Sequence, residues 1–215
     1  MTCLPGAPRT VSDVMSHTAV AVGHDASYKE IVTLMAEWKV SALPVLEGEG
    51  RVVGVVSEAD LLPKEEFRHD DPQSGRFAQS AKARALRAGE LMSSPAVTVH
   101  PDATLAEAAR IMATRKVKRL PVVNGVGMLE GIVSRGDLLK VFLRADGEIE
   151  EEIRRCVLDD PTAAAGLDVS VSDGVAVLRG MLADRSLVPL LARAVRAVEG
   201  VVDVRMELGA HEEAP

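Results

Sequence analysis

Two stretches of the 215-residue chain decide its fold, because one is a copy of the other. Residues 15–62 read MSHTAVAVGHDASYKEIVTLMAEWKVSALPVLEGEGRVVGVVSEADLL, and residues 92–139 read MSSPAVTVHPDATLAEAARIMATRKVKRLPVVNGVGMLEGIVSRGDLL. A shift of 77 residues aligns the two without a gap, and 23 of the 48 aligned positions are identical. Unrelated stretches would share only a few identities, so the chain contains a duplicated unit.

Both copies carry the same order of local signals. Ser27 and Thr104 each precede a glutamate by three residues, a capping-box pattern that predicts the start of a helix. A short apolar strand, a Gly-containing turn, a second strand and a helix beginning at Ser57 or Ser134 follow. Each copy is thus predicted to be a strand–helix–strand–strand–helix (βαββα) unit. One copy of about 50 residues would have a marginal core. We therefore predict two pseudo-symmetric units packed through their sheets, with a cleft between them.

Composition excludes several classes of protein. Hydrophobic residues make up 47% of the chain, which excludes a disordered tail, and aromatic residues make up 2%, which leaves little for base stacking. The sequence has no apolar run near the 20 or so residues of a membrane span and no apolar signal core in residues 1–10. Neither the two cysteines nor the five histidines show metal-ligand spacing, and no nucleophile or phosphate-loop motif is present. These patterns predict a cytoplasmic, non-catalytic protein with no metal site.

The net charge of -7 is unevenly distributed. Residues 1–146 contain 18 basic and 18 acidic side chains, whereas residues 147–215 contain 7 basic and 14 acidic ones. This step in charge predicts a domain boundary near residues 146–147. Because the last third is acidic, we expect phosphate backbones and anionic lipid to repel it.

The last third has its own pattern of elements. Apolar residues at helical spacing are followed by two alternating segments joined at Asp173-Gly174, which is a hairpin turn signal. A second amphipathic helix should begin near Ser186, because Pro189 must lie in its first turn. Alternation from residue 202 to 208 predicts a final strand. The order is helix, strand, strand, helix, strand (αββαβ), which makes the whole chain α+β.

The duplicated units resemble CBS domains, and the pair resembles the tandem called a Bateman module. The resemblance is carried by residues 40–45 (VSALPV) and 54–60 (GVVSEAD) and by their counterparts at 117–122 and 131–137. The last third resembles a BON domain through residues 167–180 and 200–204. We predict repeat 1 at 8–66, a linker at 67–87, repeat 2 at 88–145 and the BON domain at 147–208.

The CBS resemblance implies a regulatory ligand in the cleft between the repeats: AMP, ADP, ATP or another adenosyl compound, and no catalytic cofactor. Carried over residue by residue, it implies a main site formed by Ser16, Ala21, Val40, Ser41, Lys118, Arg119, Ile132, Ser134 and Asp137. A second, weaker site would use Val55, Ser57, Asp60, Ser93, Thr98 and Val117. It lacks basic residues at positions 41 and 42, so we expect one competent site.

Two of these residue patterns have alternative interpretations. Ser57 with Asp60, and Ser134 with Asp137, lie where a helix start can attract an anion and a carboxylate can accept ribose hydroxyls. The same pairs would also serve as capping boxes. The basic cluster formed by Arg115, Lys116, Lys118 and Arg119 fits a phosphate, but it also fits a solvated helix end.

Three functions remain open at the level of sequence. The first is a sensor in which the CBS pair binds its ligand and the BON domain signals to a protein partner. The second is a ligand-free dimerisation scaffold. The third is a nucleic-acid binder that uses the basic linker, residues 76–87, and the Arg115–Arg119 cluster. The family resemblance implies a homodimer, and the acidic last third argues against a membrane partner.

Overall fold

The structure is a computed structural model that describes residues 9–66, 85–158, 166–182 and 184–209. The chain divides into two compact units. One unit spans residues 10–135 and holds most of the two copies, and the other joins Arg9 to the residues from Gly136 onward. Residues 76–84 of the basic linker lie outside the described residues.

The described part of the first unit has five strands in two sheets. Sheet one has the order β1-β2-β3, with β1 parallel and β3 antiparallel to β2, and sheet two pairs β4 with β5 antiparallel. The strands are β1 (Val22–Gly23), β2 (Ala42–Glu47), β3 (Arg51–Ser57), β4 (Arg119–Val123) and β5 (Leu129–Ser134). The helices are Val11–Val14, Tyr28–Trp38, Glu58–Leu61, Pro63–Glu66, Ala88–Leu91 and Leu105–Arg115, and a further helix, Arg135–Leu139, contains the boundary between the units.

The second copy departs from the predicted βαββα order at its first strand. In the first copy, Val22 and Gly23 pair with β2, and the His24 N–H then donates to the Leu46 carbonyl over 3.0 Å. The second copy keeps only a single bridge, Val99 to Val122. The residue equivalent to His24 is Pro101, which has no N–H to donate, so the pairing ends there.

The helix starts confirm the capping signals. The Ser27 hydroxyl accepts from the Glu30 N–H over 3.3 Å, and Glu30 accepts from the Ser27 N–H in return. In the second copy Thr104 accepts from the Glu107 N–H over 3.2 Å. Ile31, in the helix Tyr28–Trp38, is fully buried. The core around it also contains residues of β2, β3 and the helix Ala88–Leu91. This core therefore draws on both sides of the linker.

The two copies are joined edge to edge by short antiparallel bridges. Arg51 on β3 pairs with Met128, and neighbouring hydrogen bonds run from the Val52 N–H to the Gly127 carbonyl and from the Leu129 N–H to the Gly50 carbonyl. A further bridge joins Thr10 to Thr104. Backbone pairing between residues far apart in sequence thus ties the copies together.

The C-terminal unit has the predicted αββαβ order. Helix Asp146–Cys156 is followed by β6 (Leu167–Ser172), β7 (Val175–Met181), helix Val188–Arg196 and β8 (Asp203–Gly209), and short 3-10 turns lie at Lys140–Leu143 and Arg185–Leu187. β7 is central, antiparallel to β6 and parallel to β8. Asp173 and Gly174 have φ values of 50° and 73°, which is the geometry of the predicted hairpin turn. Ile149, Ile153, Leu178 and Val195 are the centre of the core.

The C-terminal helices also follow the sequence signals. Pro189 lies in the first turn of its helix, and a 3-10 turn from Arg185 precedes that helix. Arg144 forms an ion pair with Glu152 over 2.8 Å and donates to the Glu199 carbonyl over 2.7 Å. Within the part of the chain that the structure describes, none of the helices is long and apolar enough to cross a bilayer.

Candidate functional site

The first residues of each copy pair with the last strand of the other copy. The Ser16 N–H donates to the Ile132 carbonyl over 2.9 Å, and the Ile132 N–H donates to the Ser16 carbonyl over 3.0 Å. Ser93 and Val55, which occupy the equivalent positions, exchange the same two bonds at 2.9 and 3.1 Å. Each predicted site therefore has one pair of its residues held together across the repeats.

Arg119 adds a side-chain contact between the two copies. It starts β4, where its Cα partner on β5 is Ser134, and its Nη2 donates to the Ser41 hydroxyl of the first copy over 3.2 Å. Its Nε–H is buried and has no acceptor among the described residues. A buried guanidinium nitrogen without an acceptor is costly, and an anion that enters the cleft would satisfy it.

The helix start of the first copy is built as a capping box. The Asp60 carboxylate accepts from the Ser57 N–H over 2.8 Å and from the Ser57 hydroxyl over 2.7 Å. The Ser93 hydroxyl, from the other copy, donates to the second carboxylate oxygen over 3.4 Å. Asp60 is only 9% exposed. The carboxylate predicted for the weaker site is thus surrounded by donors of the protein itself.

The equivalent carboxylate, Asp137, has an exposed lysine among its partners. It lies in the helix Arg135–Leu139 and accepts from the Lys140 ammonium over 2.8 Å. Its side chain is 15% exposed and that of Lys140 is 60% exposed, so this pair faces solvent on the lysine side. Because the lysine is exposed, this ion pair contributes little stability, and another partner of Asp137 can replace the lysine.

The structure places the remaining predicted residues as follows. Lys118 is exposed, and its carbonyl accepts from the Arg135 N–H over 3.1 Å, as the Ser41 carbonyl accepts from the Glu58 N–H. The Val117 carbonyl accepts from the Arg135 side chain over 3.2 Å. Ala21, Val40 and Thr98 are half-buried. Ala21 and Thr98 each lie one residue before the bridge residue of their copy, and Val40 follows the left-handed Lys39.

Sequence reasoning missed two positions that support the Ser16–Ile132 pair. Met15 packs against Gly131, and in the other cleft Met92 packs against Gly54. Methionine and glycine are identical in both copies at these positions. That shared identity is the signal that could have identified them.

An open groove of about 490 Å³ lies elsewhere in the first copy. It contains none of the predicted ligand residues and is lined by Gly23, His24, Asp25, Ala26, Glu30, Leu46, Glu47 and Gly48. Within residues 9–66, 85–158, 166–182 and 184–209, no group of three or more His, Cys, Asp or Glu side chains could hold a metal ion.

The class of protein is defined by two features. One is a duplicated unit in which the first residues of each copy pair with the last strand of the other, and the second is the αββαβ unit that follows. The family model of the CBS domain matches residues 11–64 and 88–144, and that of the BON domain matches residues 145–209. The chain belongs to the CBS-domain family and carries a C-terminal BON domain. CBS domains are generally non-catalytic regulatory modules.

Relatives share the CBS region of the chain. An uncharacterized protein of Methanocaldococcus jannaschii is 28% identical over 153 residues, which is 62% of this chain and 90% of that protein. The chloroplast CBS domain-containing protein CBSX2 of Arabidopsis thaliana is 30% identical over 158 residues, which is 66% of this chain and 66% of that protein.

Solved structures extend the comparison. The crystal structure of CBSX2 in complex with AMP is 32% identical and covers 63% of this chain and 97% of that chain, with a TM-score of 0.57. The CBS domain pair of the protein MJ0100, in complex with 5'-methylthioadenosine and S-adenosyl-L-methionine, is 20% identical with a TM-score of 0.51. It covers 63% of this chain and 97% of that chain, and the likeness shows the shared fold.

Proposed function

We propose that this protein is a non-catalytic sensor whose CBS pair binds an adenine nucleotide, with AMP as the first candidate, in the cleft between the repeats. The main site would use Ser16, Ala21, Val40, Ser41, Lys118, Arg119, Ile132, Ser134 and Asp137. The mirror cleft would be weak or empty. The C-terminal BON domain would pass the bound state to a protein partner.

The observation that carries this proposal is the environment of Arg119. It reaches from one copy to Ser41 of the other, and its Nε–H is buried without an acceptor within the described residues. A phosphate accepts from two guanidinium nitrogens at once, which Ser41 alone does not. The equivalent residue in the first copy is Ala42, which has no charge, so a phosphate is expected at one cleft only.

A second argument concerns the known partners of the two carboxylates that a ribose would meet. Asp60 already accepts from Ser57 and Ser93 and is 9% exposed, so a ribose would have to displace bonds internal to the protein. Asp137, which follows Ser134 by three residues, is paired with a lysine that is 60% exposed. We expect the ribose hydroxyls to replace that lysine.

The complex of CBSX2 with AMP supports the choice of ligand, because CBSX2 is 32% identical to this chain over the CBS region. A cytoplasmic location, a homodimer and a protein partner for the BON domain belong to this proposal as well. The scaffold function and nucleic-acid binding are the alternatives.

Isothermal titration of the full chain with AMP and with ATP tests the proposal. We expect AMP to bind at one site per chain. Arg119→Met and Asp137→Ala should each weaken AMP at least about tenfold, because each removes a charged partner worth roughly 1.5–3 kcal/mol. Asp60→Ala is the matched control and should change the AMP affinity by no more than about twofold, within the usual scatter of such effects.

Thermal unfolding of each variant without ligand shows whether it is folded. Absence of binding by the wild-type chain at millimolar AMP and ATP would refute the sensor and leave the scaffold. Loss of AMP binding in Asp60→Ala with retention in Asp137→Ala would place the ligand in the mirror cleft. A salt-dependent shift with DNA or RNA would favour the nucleic-acid alternative.

A further inference from the structure

Gly131 lies on β5 where the backbone of the other copy comes very close to it. Its Cα partner on β4 is Val122, and the next residue, Ile132, exchanges both backbone hydrogen bonds with Ser16. A Cβ atom at Gly131 would lie 2.7 Å from the Ser16 carbonyl oxygen and 3.0 Å from the Met15 sulfur. Protein Cβ atoms do not approach a backbone oxygen this closely, so the absence of a side chain is what admits the Ser16 backbone.

Gly54, the equivalent residue of the first copy, has a different neighbour. The three nearest atoms to its hypothetical Cβ all belong to the Met92 side chain, and the closest of them, the sulfur, would overlap it. No backbone atom of Ser93 is among them. A methionine side chain is unbranched and adaptable, so it can move aside where a backbone carbonyl in a bridge cannot.

We infer that Gly131, together with Met15, is the positioning element of the main ligand cleft. Gly131 leaves room for the Ser16 carbonyl, and Met15 packs beside the hydrogen-bonded pair. Together they hold Ser16 against Ile132, in the position from which it would contact a ligand. Gly54 and Met92 make a more tolerant version of the same contact. The two clefts therefore differ in a second respect besides charge. Gly131 makes room for a backbone carbonyl of the other copy, whereas Gly54 makes room for a side chain.

This inference rests on the proposed function for its ligand, but its structural part can be tested separately. The amide protons of Ser16 and Ile132 report the main bridge, and those of Ser93 and Val55 report the mirror bridge, because each donates across the repeats. Hydrogen exchange of these four amides measures how often each bridge opens.

The experiment compares Gly131→Ala with Gly54→Ala, each alone and with its methionine replaced. In Gly131→Ala we expect protection at Ser16 and Ile132 to fall at least about tenfold and AMP affinity to fall by a similar factor, since two hydrogen bonds of roughly 1 kcal/mol each are lost. Adding Met15→Ala should restore neither the protection nor the AMP affinity, because the new Cβ at position 131 still collides with the Ser16 carbonyl oxygen.

Gly54→Ala should lower protection at Val55 and Ser93 only, and adding Met92→Ala should restore it to within about twofold, because it removes the two Met92 atoms that lie nearer than 3.0 Å to the new Cβ. AMP affinity should stay near the wild-type value in both. If Gly131→Ala does not fold, Met15→Ala alone takes its place, because it adds no atoms to the contact and is expected to leave the chain folded. It should lower protection of the main bridge and not of the mirror bridge.

The outcomes separate the two proposals. Unchanged protection at Ser16 and Ile132 in Gly131→Ala, or its rescue by Met15→Ala, overturns the positioning role of Gly131, and unchanged protection in Met15→Ala overturns that of Met15. Lost protection with full AMP affinity overturns the link between this bridge and the ligand. If the wild-type chain binds no AMP, the proposed function fails, and the exchange measurements still decide the positioning role.

Discussion

Glu90 shows how one side chain organises the start of the second copy. Its carboxylate accepts from the Leu86 N–H over 2.8 Å and from the Arg87 N–H over 3.3 Å. The Leu86 carbonyl in turn accepts from the Tyr28 N–H, at the start of the first copy's helix. One carboxylate thus fixes the end of the linker where the linker meets the first copy.

The pKa of Glu90 is lowered from the ordinary value of a glutamate, chiefly by the hydrogen bond from the Leu86 N–H and then by that from Arg87. Because the folded-state pKa is depressed, the stabilisation is present above the unfolded-state pKa and is lost as the pH falls through the folded-state pKa. Glu90→Gln should therefore lower stability to urea at neutral pH and approach the wild type as the pH falls below the ordinary titration range of a glutamate.

Glu49→Gln, a change in an exposed turn, is the control for Glu90→Gln. It should follow the wild type throughout the pH range. A Glu90→Gln difference that stays constant down to acidic pH would show that charge is not the cause.

At the scale of single elements, the BON hairpin and its first helix use glycine in opposite ways. Gly174 has a φ of +73° in the β6–β7 turn, and a Cβ there would lie 2.7 Å from a methyl group of Val202. Gly147, in the helix Asp146–Cys156, has open space around its hypothetical Cβ. The first glycine is needed for the turn, and the second is a weak point of its helix.

Alanine at these two positions should change stability in opposite directions. Gly174→Ala should destabilise the C-terminal unit by about 1–3 kcal/mol, because alanine is strained at this φ. Gly147→Ala should stabilise it by up to about 1 kcal/mol, because alanine is the better helix former. Urea denaturation followed by circular dichroism measures both, and a shift in the same direction would contradict the local explanation.

At the scale of the whole molecule, the chain is two compact units with separate cores. The step in charge at residues 146–147 indicates the second unit, although in the structure the compact unit already begins at Gly136. For a ligand in the CBS cleft to change the BON domain, it must bind one state of the chain more tightly than another. A stable C-terminal unit is a precondition for that output.

Ile153→Ala tests the core of the C-terminal unit. Ile153 is fully buried, so its truncation should cost about 2–5 kcal/mol. Leu190→Ala is the matched control on the other helix of the unit, where the side chain is 63% exposed and the expected change stays within about 0.5 kcal/mol. Thermal unfolding of the full chain measures both, and equal losses would mean that this core is not the one that stabilises the unit.

Much of the fold could be predicted from short windows of sequence. The helix starts after Ser27 and Thr104, the Asp173-Gly174 turn and the order of elements in the C-terminal unit were confirmed, because each depends on residues within one or two turns of chain. The first strand of the second copy was not predicted correctly. Its length depended on whether one residue, Pro101, could donate a hydrogen bond to a strand about 20 residues further along the chain.

The amino-acid sequence alone determined that the chain holds two copies of one unit and a third, acidic domain, since repetition, periodicity and charge are properties of sequence order. Only the tertiary structure decided which residues of the two copies meet. Ser16 pairs with Ile132, Arg119 donates a hydrogen bond to Ser41, and Asp60 accepts one from Ser93. The residues of each pair are far apart in sequence, so no local pattern encodes the contact. The backbone contacts arise because N–H and C=O groups that are withdrawn from water between the copies need hydrogen-bond partners there.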